Sequence, residues 1–244
     1  MGCSFTLSTS LSHPMAAAVA ALRQVLEQRF PDAVPPAYRT AAQLATGIAK
    51  LDGILPGGGL PRGRLAVWAP GGAATALLRA ACDAVAGRGE RAVWVDGAGT
   101  VAGAYWVSGP YLIRPRGERQ ALQCAEELLR CGGFGLVVLA GVRPGDVEAV
   151  RLSRAAREGG GAFVVLGHGV STAGLRLASR IRPEDFRWRL DPWGTPAEVV
   201  DVRVHIHATA LGWSANTHFR LPVTHHGIRL SLESGLADRR GTRA

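Results

Sequence analysis

Five short apolar runs punctuate the middle of the chain: Leu65 to Trp68, Ala92 to Val95, Tyr111 to Ile113, Leu136 to Leu139 and Phe163 to Leu166. They do not alternate apolar with polar residues as a half-solvated strand does, so they read as strands buried on both faces. The stretches between them, Ala74 to Gly87, Gly117 to Cys131 and Gly145 to Glu158, read as helices. Strands alternating with helices predict an α/β fold with a mostly parallel central sheet covered on both sides. From Glu198 onward the period changes to two in DVRVHIHA, THFRLPV and GIRLSL, which predicts an antiparallel extension of that sheet.

The flanks read differently. Met15 to Phe30 is rich in strong helix formers, with Val19, Leu22, Val25, Leu26 and Phe30 along one stripe, and Pro31 and Pro35-Pro36 stop it. Such a helix either packs on its own core or docks on a partner or a second copy of the chain. Ser234 to Ala244 is polar and basic with little to bury, which predicts a mobile tail. The expected organisation is an N-terminal helix and linker over 1–40, a core over 41–233 and a tail over 234–244.

Composition narrows the function classes. The 244 residues are 47% hydrophobic and 19% charged, enough for one substantial core, and no run of 18 apolar residues is present to span a bilayer. Against 28 basic residues stand 19 acidic ones, a net charge of +9 that favours a polyanionic partner, nucleic acid or an acidic protein surface. Cys3, Cys82, Cys124 and Cys131 form no C-x-x-C pair, so free thiols in a reducing, cytoplasmic compartment are expected.

Residues Gly63 to Arg79 have the layout of a strand, a phosphate-loop turn and a helix, yet the gripping residues are missing. A working loop reads G-x-x-x-x-G-K-[ST], its N–H groups cradling phosphates while the lysine and hydroxyl hold oxygens and magnesium. The equivalent positions here are Ala69, Ala74, Thr75 and Ala76, within a degenerate loop of Pro70, Gly71, Gly72, Ala74, Thr75 and Ala76. Lys50 is the chain's sole lysine and precedes the strand. Arg79 is one turn too far along the helix unless it reaches back.

The pattern T-G-x-x-x-L-D-x-x-L-x-G-G-G-L-P-x-G-R from Thr46 to Arg64 resembles the lead-in to the first strand of the RecA recombinase core. It resembles more closely the ImuA family of inducible-mutagenesis proteins, also described as RecA-like or SulA-like. The segment Tyr111 to Gly141 follows the same order of strand, Gly-Glu helix start and Walker B strand, and Thr172 to Leu190 resembles the segment after RecA's second DNA-binding loop. The resemblance implies a RecA-like P-loop core and an accessory role in translesion synthesis. Its implied partners are DNA, the inactive Y-family polymerase homologue ImuB and an error-prone replicative-type polymerase.

Departures from the pattern bear on chemistry. The Walker B strand runs into Ala140 where an aspartate would organise magnesium, and after Asp96 come Gly97, Ala98 and Gly99 where a catalytic glutamate is expected. Phosphoryl transfer needs lysine, metal and base together. Without them the expectation is no enzyme activity, no cofactor and no bound metal. Only Gly167 to Gly174 remains of the second DNA-binding loop, and the helix after it is expected over Leu175 to Ile181.

The expected DNA contacts are basic. Arg151, Arg154 and Arg157 share a drifting helical face, with Glu148 placed to pair with Arg151; Arg176 and Arg180 lie four apart on the next element, followed by Arg182 and Arg187. Phe186 and Trp188 interleave with the arginines, a combination suited to single strands, although a core position is expected for Trp188. His205 and His207 alternate on one strand without a carboxylate or cysteine at ligand spacing, so surface histidines are expected rather than zinc ligands. Two alternatives stay open: a RecA or circadian-clock type ATPase with a deviant loop, and a SulA-like division inhibitor acting by protein contacts alone.

Overall fold

The computed structural model describes residues 42–101 and 109–223. The predicted helix over 15–30, the third period-two segment over 227–232 and the tail lie outside the described residues. Eleven strands and four helices follow in chain order: β1 (Gln43–Leu44), α1 (Ala49–Asp52), β2 (Leu60–Pro61), β3 (Leu65–Trp68), α2 (Ala74–Ala86), β4 (Ala92–Asp96), β5 (Tyr111–Ile113), α3 (Glu118–Arg130), β6 (Leu136–Ala140), α4 (Asp146–Gly159), β7 (Ala162–Leu166), β8 (Leu175–Arg180), β9 (Phe186–Leu190), β10 (Pro196–Ala210) and β11 (Trp213–Pro222).

The fold is α/β with a mostly parallel central sheet. Its strand order is β11-β10-β8-β3-β7-β6-β4-β5, and β9 pairs with β10. The pairs from β5 through β8 are parallel, whereas β10 pairs antiparallel with β8, β9 and β11. The central strands β3, β4, β6 and β7 are the uninterrupted apolar runs, and helices cover both of their faces. On one side Leu77, Leu78, Ala81 and Cys82 of α2 pack with Trp68, Trp94, Leu177, Val204 and Ile206. On the other, Ala121, Ala125 and Leu129 of α3 and Ala149, Leu152 and Ala156 of α4 pack with Val67, Val95, Val137 and Phe163. Each fully buried Leu or Phe contributes about 1.5–3 kcal/mol.

The motif Thr46 to Asp52 acquires a structural reason. The Asp52 carboxylate accepts from the Thr46 N–H and hydroxyl, both at 2.8 Å, and from the Gly47 N–H at 3.1 Å, closing the turn that starts α1. Gly47 has φ +77°, and a Cβ there would stand 2.5 Å from Ala84 Cβ on α2, so only glycine fits. The motif clamps the lead-in segment onto α2.

Three expectations change. Residues 175–180 are strand β8, not a helix: Leu175 and Leu177 point into the core while Arg176, Ala178 and Arg180 point out. An arginine pair four apart satisfies a period of two as well as a period of 3.6, which is why spacing alone misassigned it. Trp188 is 47% exposed on β9, because β9 lies outboard of the strand path and pairs with β10 alone. Tyr111 is exposed as well, since β5 is an edge strand and not one buried on both faces.

The turn between β3 and α2 is joined to β8. The buried Trp68 indole Nε1 donates to Ser179 Oγ at 3.3 Å, and the Ser179 hydroxyl donates to the Gly71 carbonyl at 2.9 Å. A Cβ on Gly72 would lie 2.3 Å from the Ser179 carbonyl, and Gly72 has φ +50°. Ala73, next along, has φ +67°, the one positive φ outside glycine among the described residues. Left-handed backbone costs an alanine about 1–2 kcal/mol. In urea or thermal unfolding, Gly72→Ala is therefore expected to destabilise by about 3 kcal/mol through backbone overlap and strain. Ser179→Ala should lose ~1–2 kcal/mol by stranding the indole N–H, and Ala73→Gly should gain up to ~1 kcal/mol.

Candidate functional site

The turn between β3 and α2 directs its backbone hydrogen bonds into the protein. The Ala74 N–H, which would face a ligand at a helix N-terminus, turns back onto the Gly71 carbonyl at 2.9 Å, and Ala69 N–H donates to Leu177 O at 2.8 Å. Arg79 lies beside Asp83 and Gly109: a Cβ built on Gly109 would stand 3.8 Å from its Nε. Asp96, fully buried at the end of β4 opposite Ala140, accepts from the Thr100 N–H and hydroxyl and from Val101 N–H at 2.8–3.3 Å. It is occupied as the cap of its own loop.

The open face of the antiparallel extension carries a second constellation. Its other face is apolar, through Leu175, Leu177, Val204, Ile206 and Ala208, so the period of two sends every intervening side chain of β8 and β10 to the open side. Register then builds rows across the sheet: Arg180, His205 and His218; Ala178, His207 and Asn216; Arg176, Thr209 and Ser214; and Arg203 beside Arg220. A cleft of about 630 Å³ lies over the first two rows, bounded also by Arg182 and Thr217. A second of about 250 Å³ shares Ala178 and His207 with it and reaches His168 and Arg176 beside the loop Gly167–Val170. Together they form one groove lined by arginine and imidazole.

Placement divides the expected DNA contacts into two groups. Arg176, Arg180 and Arg187 come to the open face, and Arg182 follows β8 at its edge. Arg176 donates to the carbonyls of Val170 and Ser171 at 3.3 and 2.6 Å, which fixes the loop, and Ser171 Oγ lies 2.5 Å from Asp146 Oδ1 at the start of α4. Arg187 and Arg220 both pair with the buried Asp201. Among the described residues, neither Arg180 nor Arg203 has a carboxylate within ion-pair distance.

The second group lies on α4. Arg151 reaches Glu126 of α3 at 2.6 Å rather than Glu148, and Arg154 pairs with Glu158 at 2.8 Å; Arg157 is exposed near Gly63. Glu126 also accepts from Arg130 at 2.7 Å, so the α3–α4 surface is laced by ion pairs.

Sequence reasoning missed Arg203, Arg220 and His218 as members of the face. The alternation in DVRVHIHA and THFRLPV was the available signal, but which strands pair, and in what register, was not visible. It also missed the carboxylate beside His205: Asp185 Oδ1 stands 2.9 Å from His205 Nε2. His207 Nδ1 lies 2.7 Å from Asn216 Oδ1. No group of three His, Cys, Asp or Glu side chains suited to a metal occurs among the described residues. Burial, with the Asp83 charge adding, pushes the Cys82 thiol up to about 12, so it stays protonated, whereas Cys131 is exposed.

Three carboxylates hold this architecture in their ionised form. The Asp185 carboxyl is held below its ordinary range, first by the His205 hydrogen bond and then by the Arg182 N–H, against the opposing effect of burial. For Asp201 and Glu126 burial is the largest influence and raises the carboxyl, but it is outweighed by Arg220 and Arg187 at Asp201 and by Arg130 and Arg151 at Glu126. A pKa lowered by folding contributes stability above the unfolded value and loses it as pH falls through the folded one. Denaturant unfolding should therefore show stability dropping below about pH 4. Asp201→Asn should be less stable than the parent at pH 7, with the gap narrowing toward pH 3; a gap independent of pH would contradict the assignment.

Among the described residues no helix is long and apolar enough to cross a membrane. Compared with known proteins, the chain matches no family model and no curated sequence.

Proposed function

We propose that the chain is a non-catalytic RecA-like accessory protein of damage-induced translesion DNA synthesis. It binds DNA on the open sheet face and works with an ImuB-like inactive polymerase homologue and an error-prone replicative-type polymerase in the cytoplasm. The observation that carries this reading is the groove over β8, β10 and β11, where Arg176, Arg180 and Arg182 join four histidines. A polyanion is the ligand that such a surface suits.

Support for the RecA-like core comes from the Thr46–Asp52 clamp and the β5–α3–β6 order, each formed by a segment that carries the resemblance, and from the strand–turn–helix order of β3 and α2. Support for an adaptor rather than an ATPase comes from chemistry. The turn satisfies its own Ala74 N–H, it lacks a lysine, and Asp96 is engaged by Thr100 and Val101. Arg79 Nε lies beside Gly109, 3.8 Å from where a Cβ there would stand.

The protein-only, SulA-like alternative draws on a different surface, the β9–β10 hairpin, where Trp188, Leu190 and Trp193 are 47%, 57% and 86% exposed. Salt dependence separates the two. Four phosphate contacts to a single strand give a slope near −2.8 in log K against log salt, so fluorescence polarisation with a labelled oligonucleotide should show roughly 50-fold weaker binding at 200 than at 50 mM salt. Replacing both Arg180 and Arg203 with glutamine should reduce that slope by about 1.4. Absence of binding at low salt, or binding insensitive to salt, would remove the DNA reading and leave the hairpin as the working surface.

A further inference from the structure

The groove is more specific than a basic surface needs to be. Phosphodiester contacts along a strand call for arginines spread over a face, as Arg176, Arg187, Arg203 and Arg220 are. The 630 Å³ cleft instead concentrates Arg180, Arg182, His205, His207 and His218 around one hollow, with Asn216 and Thr217 at its wall.

The hydrogen bonds of two imidazoles fix what this hollow can hold. A carboxylate only accepts, so His205 Nε2 carries a proton toward Asp185 Oδ1, and in the neutral ring Nδ1 is a bare lone pair. His207 Nδ1 faces the Asn216 carbonyl oxygen and likewise carries the proton, which leaves a lone pair on Nε2 of the neutral ring. Protonation turns both remaining nitrogens into donors, beside the Arg180 guanidinium. An anion carrying two negative charges and several acceptor oxygens gains the most from such donors.

We infer that the cleft formed by Arg180, Arg182, His205, His207 and His218 is a binding site for a phosphate monoester. Its source is the terminal phosphate of a nucleic-acid strand or a free nucleoside monophosphate. As a strand-end site it rests on the nucleic-acid reading and deepens it, since a monoester marks a strand end that internal diesters do not. Around the imidazoles, Arg180 lies across from His205 and Arg182 lines the cleft; Asp185 of the 3₁₀ turn Pro183–Asp185 bonds His205 and Glu184 lies beside Arg182; Arg203 and Arg220 form the next row of the sheet. His168, on the loop after β7, lines the adjoining cleft with His207. Asp185 accepts from His205 and from the Arg182 N–H, and its single negative charge is outnumbered by Arg180 and Arg182 at the cleft.

The test compares 5′-phosphorylated and 5′-hydroxyl oligonucleotides of one sequence by fluorescence polarisation, with inorganic phosphate and a nucleoside monophosphate as competitors, at pH 8.0 and 6.5. The phosphorylated strand should bind about threefold or more tightly at pH 8.0. That preference should widen at pH 6.5, where imidazole side chains gain hydrogen-bond donors. His207→Gln with His218→Gln, both exposed and so compatible with folding, should reduce the widening and leave only the part due to His205, and Arg180→Gln should abolish the preference at both pH values. Equal binding of the two strands without competition by phosphate overturns the inference and leaves the DNA reading standing. Calorimetric binding of the monophosphate without binding of either strand upholds the site and overturns the DNA reading. No binding of any of the four ligands overturns both.

Discussion

The hydrogen-bond relay from Trp68 through Ser179 to Gly71 couples three parts of this molecule that would otherwise be independent. Trp68 is a core residue at the end of β3, Ser179 is near the end of β8, and Gly71 is in the turn that a phosphate-binding protein would offer to its ligand. With the turn drawn onto β8, the absence of a Gly72 side chain leaves its backbone directly against that of Ser179 and Arg180. One contact therefore shapes the turn after β3 and sets where β8 delivers Arg180 and Arg182.

Function follows from which face of the sheet is left open. The apolar face of β8 and β10 belongs to one cluster with α2 and with Leu51 and Leu55 of the lead-in segment, while α3 and α4 cover the other side only over the parallel strands. The antiparallel extension is thus half dressed: its Leu, Val and Ile rows are sealed and its Arg and His rows meet water. Acid pairing trims the positive charge locally, with Asp201 shared by Arg187 and Arg220 and Asp185 held by His205. Arg180 and Arg203 are left as the strongest points for an anion. On α4, by contrast, Arg151 and Arg154 are already engaged by Glu126 and Glu158.

Much of the fold was legible because periodicity carries it. The continuous runs of β3, β4, β6 and β7 announced strands buried on both faces, and the predicted bounds of α2, α3 and α4 fall within a residue or two of those observed. Residues 175–180 were misread because Arg176 and Arg180 are compatible with two periods and only the neighbours of β8 decide between them. Trp188 was misread because an aromatic residue in a strand usually packs inward, and its exposure depends on β9 pairing with a single neighbour. The site was half legible. Arg176, Arg180, Arg182 and Arg187 were visible as basic residues, but their assembly with His205, His207, His218 and Arg203 depends on long-range register between β8, β10 and β11, which no local pattern encodes.

The central claim is that a ligand is recognised on the open face of the extension and not at the turn after β3. Amide chemical-shift mapping during titration with a single-stranded oligonucleotide, and separately with magnesium ATP, tests it residue by residue. The account predicts shifts over 176–182, 203–207 and 216–220 with the oligonucleotide, and none over 71–77 with either ligand. Saturable, magnesium-dependent shifts centred on Gly71, Gly72 and Ala74 would contradict it.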